Sequence, residues 1–127
     1  MNIEDVNNRL REIKIEDFIW IIYVAIIFLS WISNDIERRY FKFNDLKARD
    51  NYRKIISIIF TILVVIYIYF LMESIGDLKN LKPTDTDKKK FFVFLSFLGS
   101  LLILVSGIIF LYIALQDEDI DVELAFN

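Results

Sequence analysis

Residues 91–115 read FFVFLSFLGSLLILVSGIIFLYIAL, a run of 25 residues without a charged side chain. At about 1.5 Å per residue, a helix of this length exceeds the hydrocarbon core of a bilayer, which is about 30 Å thick. In lipid, only a helix satisfies every backbone amide of an isolated segment. The run therefore predicts a transmembrane helix that tilts or projects beyond the bilayer.

Two further charge-free runs have the same character, residues 18–33 and residues 55–72. The first is short for a span, so we expect it to borrow apolar neighbours such as Ile13, Ile15 and Ile36. The second is rich in isoleucine and valine, but its 18 residues are too many for a strand, which usually has about 3–10. Three transmembrane helices are therefore predicted, with approximate bounds 18–33, 55–72 and 91–115.

Composition supports a membrane protein over a soluble one. The 127-residue chain is 56% hydrophobic, with a mean hydropathy of +0.46. It has three glycines and one proline, too few turn residues for a β-sandwich or barrel. Outside the three runs too little protein remains to cover them. We predict an all-α integral membrane protein, with a transmembrane domain over residues 1–116 and an acidic tail over residues 117–127.

The segment before the first run predicts an N-terminal amphipathic helix over residues 2–16. Ile3, Val6, Leu10 and Ile13 recur at a spacing of three to four and form one apolar stripe. This helix either lies on the membrane surface or runs directly into the first span.

The segment from 34 to 54 carries seven basic and four acidic residues. Its apolar residues recur on one helical face, so the first span is expected to continue as a helix beyond the membrane and to turn near Asp50 and Asn51. These apolar residues are Ile36, Tyr40, Phe43 and Leu46. Interleaved acids and the lack of a binding motif argue against nucleic acid as a partner.

Several residues are expected at the membrane interface. Tryptophan rings favour the headgroup level, and basic residues near helix ends can hold anionic headgroups. The predicted interface residues are Trp20, Trp31, Arg38, Arg39, Arg53, Lys54, Lys88, Lys89 and Lys90.

The connection from 73 to 90 contains signals for a helix end and a helix start. Gly76 is the predicted stop of the second helix, and Pro83 precedes the third. Thr84 and Asp87 are the predicted N-cap pair of the third helix.

Within the acidic tail, Asp119, Asp121 and Glu123 alternate with apolar side chains, a period of two that predicts a C-terminal β-strand. A single strand cannot satisfy its own backbone, so it would pair with another copy or a different protein. Chain ends are often unordered, and a disordered acidic tail is an equal alternative. The predicted partner-binding residues are Asp119, Ile120, Asp121, Val122, Glu123, Leu124 and Phe126.

The chain lacks the residues on which most enzymes depend. It has no cysteine and no histidine, and none of the three runs contains an ionisable group. Asp35 and Glu73 at the membrane edge can bind a cation, but such residues are more typical of solvated helix ends. We predict no catalytic residue, no metal site and no cofactor, and we expect that the protein is not an enzyme.

Small residues along the third span predict a helix-packing face. Small side chains let helix backbones approach, and close packing drives helix association in lipid. Ser57 and Thr61 of the second span are placed to hydrogen-bond across helices. The predicted packing residues are Ser96, Gly99, Ser100, Ser106, Gly107 and Ala114.

Association is therefore the expected activity. Our first hypothesis is a non-enzymatic membrane component that self-associates through the third span and forms a pore lined by serine and threonine. The alternative is an accessory or immunity-type subunit that binds a larger partner through its acidic tail. A small transporter or lipid-modifying enzyme is a third hypothesis, and it lacks the expected intramembrane polar sites. Expected partners are the lipid bilayer, other copies of the chain and a protein bound by the tail.

The composition and the charges bear on localisation. The 23 isoleucines and few alanines are typical of AT-rich bacterial genomes, so we expect a multi-pass protein of the bacterial cytoplasmic membrane. Eight lysines and arginines fall on the side of the N-terminus and seven on the other. This near balance assigns no orientation and is also what a dual-topology protein shows.

Overall fold

The computed structural model describes residues 2–116, which form three helices: α1 (Ile3–Phe43), α2 (Leu46–Lys79) and α3 (Asp87–Gln116). Each helix is long and apolar enough to cross a membrane. The predicted all-α architecture is therefore confirmed, with three helices whose length and composition suit membrane crossing. Within residues 2–116 there is no strand, and the predicted C-terminal strand lies outside the described residues.

Helix α1 is continuous over 41 residues, so the N-terminal amphipathic helix runs directly into the first span. It begins at Asn2, whose side-chain oxygen accepts a hydrogen bond of 2.7 Å from the amide of Asp5. The apolar stripe that starts at Ile3 is exposed along its length. At about 1.5 Å per residue, α1 is roughly 60 Å long and projects beyond the bilayer.

The turn between α1 and α2 lies at Asn44 and Asp45, so the predicted turn near Asp50 and Asn51 is wrong. Asn44 adopts the left-handed conformation, with φ 51°, and ends α1. The Asp45 carboxylate then accepts hydrogen bonds from the amides of Lys47 and Ala48 and caps α2. The chain therefore reverses where Asn44 ends one helix and Asp45 starts the next. Asp50 and Asn51 lie inside α2.

The ends of the α2–α3 connection also differ from expectation. Gly76 does not stop α2, which continues to Lys79, and its carbonyl accepts a hydrogen bond from the amide of Asn80. Helix α3 begins at Asp87, and the hydroxyl that accepts from the Lys89 amide is that of Thr86, not Thr84. Glycine inside a helix lowers stability by only about 1 kcal/mol relative to alanine, which is too little to end a long apolar helix.

Helix α2 is the centre of the fold. Both α1 and α3 pack against it, whereas no Cα atom of α1 lies within 8 Å of a Cα atom of α3 in the described chain. Ile59 at the middle of α2 is fully buried. The buried core consists of Ile26 from α1, of Tyr52, Ile56, Ile59, Phe60 and Leu63 from α2, and of Ala114 from α3. The helices α1 and α3 therefore flank α2 and leave a cleft between them.

Candidate functional site

The space between α1 and α3 is a cavity of about 690 Å³ whose floor is α2. Most of its lining is apolar, and Phe60 at its floor stacks on Phe110 with ring centroids 5.7 Å apart. We call this space the membrane cleft. Its polar lining consists of Tyr23 and Ser30 from α1, Tyr67 from α2 and Ser106 from α3.

A second cavity of about 310 Å³ adjoins the membrane cleft, because Tyr23, Tyr67 and Ile103 line both. Ser96 and Ser100 of α3 line this second cavity. Three carboxylates also line it, one from the N-terminal half of α1 and two from the C-terminal part of α2. We call these carboxylates the acidic mouth: Glu16, Glu73 and Asp77.

The electrostatics of the acidic mouth are dominated by carboxylates. Burial raises the pKa of the Glu73 carboxyl, and the negative charges of Glu12, Glu16 and Asp77 raise it further. Arg9 opposes this effect, and its guanidinium lies 3.1 Å from Glu12 and 3.5 Å from Glu16. One arginine faces four carboxylates, so the mouth keeps an excess of negative charge.

Two of the predicted packing residues of α3 contact α2 within the chain. A Cβ atom built on Gly107 would lie 2.9 Å from a ring carbon of Tyr67, and Ala114 is buried in the core. These two positions therefore let α3 approach α2 closely.

The other four predicted packing residues do not contact the core in this way. Ser96 and Ser100 line the cavity behind the acidic mouth, and Ser106 lines the membrane cleft. No atom lies within 4 Å of a Cβ built on Gly99. Thr61 of α2 donates to the carbonyl of Ser57 in its own helix, at 2.7 Å, and not across helices as expected. The predicted packing set thus divides between the core and the open faces of α3.

The opposite end of the molecule carries the basic residues of the helical hairpin formed by α1 and α2. Arg53 donates from Nη2 to the carbonyl of Leu115, at 3.4 Å, which joins α2 to the last turn of α3. The Nε atoms of Arg49 and Arg53 are buried and have no hydrogen-bond partner among residues 2–116. We call this surface the basic end: Arg38, Arg39, Lys42, Lys47, Arg49, Arg53 and Lys54.

A polar contact links α1 and α2 beside the basic end. The hydroxyl of Tyr52, which is buried, forms a hydrogen bond with the carboxylate of Glu37. Burial raises the pKa of the Glu37 carboxyl, and this hydrogen bond lowers it in opposition. The contact fixes how the two helices meet outside the membrane.

The predicted interface residues are all exposed or half-buried. Trp20 lines the membrane cleft, with its ring centroid 5.6 Å from that of Tyr23, and Trp31 is exposed. The three lysines 88–90 lie in the first turn of α3, where the ammonium of Lys88 lies 5.7 Å from the ring centroid of Phe92. The predicted partner-binding residues of the tail lie outside the described residues.

Five polar residues named in this site were not predicted as functional: Glu16, Tyr23, Ser30, Tyr67 and Asp77. Helical spacing carries part of the signal, because Asp77 follows Glu73 by four residues and Tyr23 follows Glu16 by seven, which places each pair on one face. Which faces of α1 and α2 meet depends on how each helix is rotated about its axis. That rotation could not be predicted from the sequence.

The polar groups that line the two cavities are hydroxyls and carboxylates, which form hydrogen bonds and attract cations. No group of three or more carboxylates within residues 2–116 is placed to hold a metal ion. No family model, no curated protein and no solved structure matches this chain.

Proposed function

We propose that this protein is a non-enzymatic component of the bacterial cytoplasmic membrane that self-associates, and that its assembly closes the membrane cleft into a pore. One observation carries the proposal: no Cα atom of α1 lies within 8 Å of one of α3 in the described chain, and a cavity lies between the two helices. A second copy that covers this cavity would convert a groove that faces lipid into an enclosed path.

The hydroxyls of α3 favour an enclosed path over a face that contacts lipid. Ser96, Ser100 and Ser106 are exposed or half-buried and make no hydrogen bond within residues 2–116. A hydroxyl without a partner in hydrocarbon is unfavourable, so these groups gain from water or from the polar groups of a neighbouring chain.

Gly99 supplies a place for such a neighbour. The fold of a single chain does not require glycine there, because the space beside it is open. Small residues on this part of α3 leave its backbone accessible, and close approach of backbones is a usual basis of helix association in membranes. We therefore assign the contact between copies to the face that carries Ser96, Gly99 and Ser100.

The acidic mouth gives the proposed pore a preference for cations. Carboxylates at a constriction attract cations and repel anions, as rings of Asp and Glu do in cation channels. Glu16, Glu73 and Asp77 lie at one end of the path, and tyrosine and serine hydroxyls continue it toward the membrane cleft.

The experiment that tests this function compares Gly99→Ile with the matched change Gly76→Ile, since both glycines have open space around them. Gly99→Ile is expected to shift the oligomer toward monomer in detergent and to abolish ion flux through liposomes that contain the purified protein. Gly76→Ile is expected to keep both. Unchanged oligomer size in Gly99→Ile would contradict the assigned contact, and liposomes that stay tight with the unaltered chain would rule out the pore.

A further inference from the structure

The last turn of α3 and the turn between α1 and α2 lie toward the same end of the molecule. The contact between Arg53 and Leu115 places the last turn of α3 beside the N-terminal part of α2, as three consecutive crossings would. The chain continues from Gln116 for 11 residues that contain five carboxylates and no lysine or arginine. The last turn of α3 therefore lies beside the basic end, and the sequence that follows it is acidic.

Most basic residues of the basic end form no ion pair within residues 2–116. Of its seven basic residues, only Arg38 has a carboxylate within 4.0 Å among residues 2–116, namely Asp35 at 2.9 Å. Arg49 and Arg53 each hold a buried Nε atom without a hydrogen-bond partner there. Burying a donor without a partner is costly, so these guanidinium groups favour an acceptor from outside residues 2–116.

A cavity of about 510 Å³ opens at this place. Its lining includes Asp50, Arg53 and Lys54 from α2 and Leu115 from α3. The last turn of α3 thus lies at the rim of a space whose lining includes two basic side chains and one acidic one.

We propose that residues 117–127 dock on the basic end of their own chain, with their carboxylates paired to Arg49, Arg53 and Lys54. Eleven residues span at most about 36 Å when extended, which is enough to cover the surface from its rim. The short tether keeps the carboxylates at a local concentration in the millimolar range, so the chain's own tail outcompetes a free anionic ligand.

The docked tail shields the basic end from anionic lipid headgroups. Phosphates of the bilayer and carboxylates of the tail compete for the same guanidinium groups, and only one set occupies them at a time. This inference does not depend on the proposed pore, because it concerns a contact within one chain.

Disulfide trapping tests the contact, since the 127-residue chain has no cysteine of its own. Asp119→Cys combined with Asp50→Cys is expected to form a disulfide within one chain in phosphatidylcholine vesicles. Asp119→Cys combined with Lys82→Cys, on the other side of the membrane, is the matched control and is expected to form none. Proteolysis followed by mass spectrometry distinguishes disulfides within a chain from those between chains.

Charge neutralisation then tests the chemistry of the contact, with the same cysteine pair in every variant. Arg49→Gln with Arg53→Gln is expected to slow disulfide formation about fivefold, whereas Lys79→Gln with Lys82→Gln is expected to leave it unchanged. Neutralising the tail by Asp117→Asn, Glu118→Gln and Asp121→Asn is expected to slow it equally, and this variant leaves the helices untouched.

Three outcomes would overturn the proposal. The first is an equal rate of disulfide formation with the neutralised tail and with the acidic tail. The second is formation of disulfides only between chains. The third is loss of the disulfides when phosphatidylglycerol is added to the vesicles. The second result would assign the basic end to the tail of another copy, and the third would assign it to lipid headgroups.

Discussion

At the scale of single residues, two glycines of α3 have opposite surroundings. A Cβ on Gly107 meets the ring of Tyr67 at 2.9 and 3.1 Å, while a Cβ on Gly99 meets nothing within 4 Å. Both residues belong to one predicted packing face. Gly107 is used within the chain, where a larger residue forces the Tyr67 ring to move. The space beside Gly99 is open, as the proposed contact between copies requires.

Gly107→Ile is expected to destabilise the fold by about 1–3 kcal/mol, because overpacking at a close contact forces side chains and backbone to shift. Thermal unfolding in detergent, at a concentration where the protein is monomeric, measures the effect. Gly99→Ile is the control on the same helix and is expected to leave the unfolding temperature unchanged. Equal destabilisation by both changes would contradict the division between the two glycines.

At the scale of elements, the hairpin of α1 and α2 depends on two adjacent polar residues. Asn44 takes the left-handed conformation that ends α1, and Asp45 caps the start of α2. An asparagine side chain tolerates positive φ, whereas a β-branched one does not. The reversal is therefore local. It occurs before the predicted position near Asp50 because Asn44 and Asp45 are the residues that cap the two helices.

Asn44→Val is expected to cost about 1–2 kcal/mol, since valine must adopt a left-handed backbone. The amides of Lys47 and Ala48, which donate to the Asp45 carboxylate, are expected to lose protection from hydrogen exchange. Asn44→Gly is the control, because glycine adopts positive φ readily, and it is expected to keep that protection. Protection retained in Asn44→Val would show that the turn is not set by this residue.

At the scale of the whole molecule, the arrangement around α2 separates two charged ends. Carboxylates of α1 and α2 collect at the acidic mouth, and basic residues of the same helices collect at the basic end. The cleft between α1 and α3 lies between these ends, and its lining is mostly apolar. The molecule therefore has a charge gradient along the axis of its proposed path.

This gradient predicts a pH-dependent selectivity in liposome flux measurements. The pKa of Glu73 is raised, so this carboxylate is charged above the raised pKa and becomes neutral as the pH falls through it. The preference for cations is expected to decline over that interval, at a higher pH than an ordinary glutamate would give. Glu16→Gln with Glu73→Gln is expected to lower the preference at neutral pH, and Glu4→Gln with Asp5→Asn is the control that removes the same charge away from the mouth. A selectivity equal in all three proteins would contradict the role of the mouth.

The agreement between sequence and structure is best where the physics is local. The charge-free runs predict three membrane-crossing helices because an unpaired amide or a charge in hydrocarbon is costly wherever the chain goes next. The helices themselves extend well beyond these runs, as in α1, because helix formation in the polar flanks depends on caps and on apolar stripes. The cap at Thr84, the helix end at Gly76 and the turn near Asp50 were predicted wrongly.

The site could be anticipated only in part. Small residues marked α3 as a packing helix, but whether Gly107 or Gly99 packs within the chain depends on the angle at which α3 crosses α2. Likewise Glu16 and Glu73 lie 57 positions apart in sequence, and only the rotation of two helices brings them to one cavity.

Hydropathy and charge along the chain thus sufficed for the class of protein, the number of crossings and the absence of ionisable groups from the spans, because transfer into lipid acts on each segment separately. The central position of α2, the cleft and the two charged ends required the folded chain. They follow from which helix faces meet, and van der Waals packing between helices depends on crossing angle and rotation, quantities that no single segment specifies.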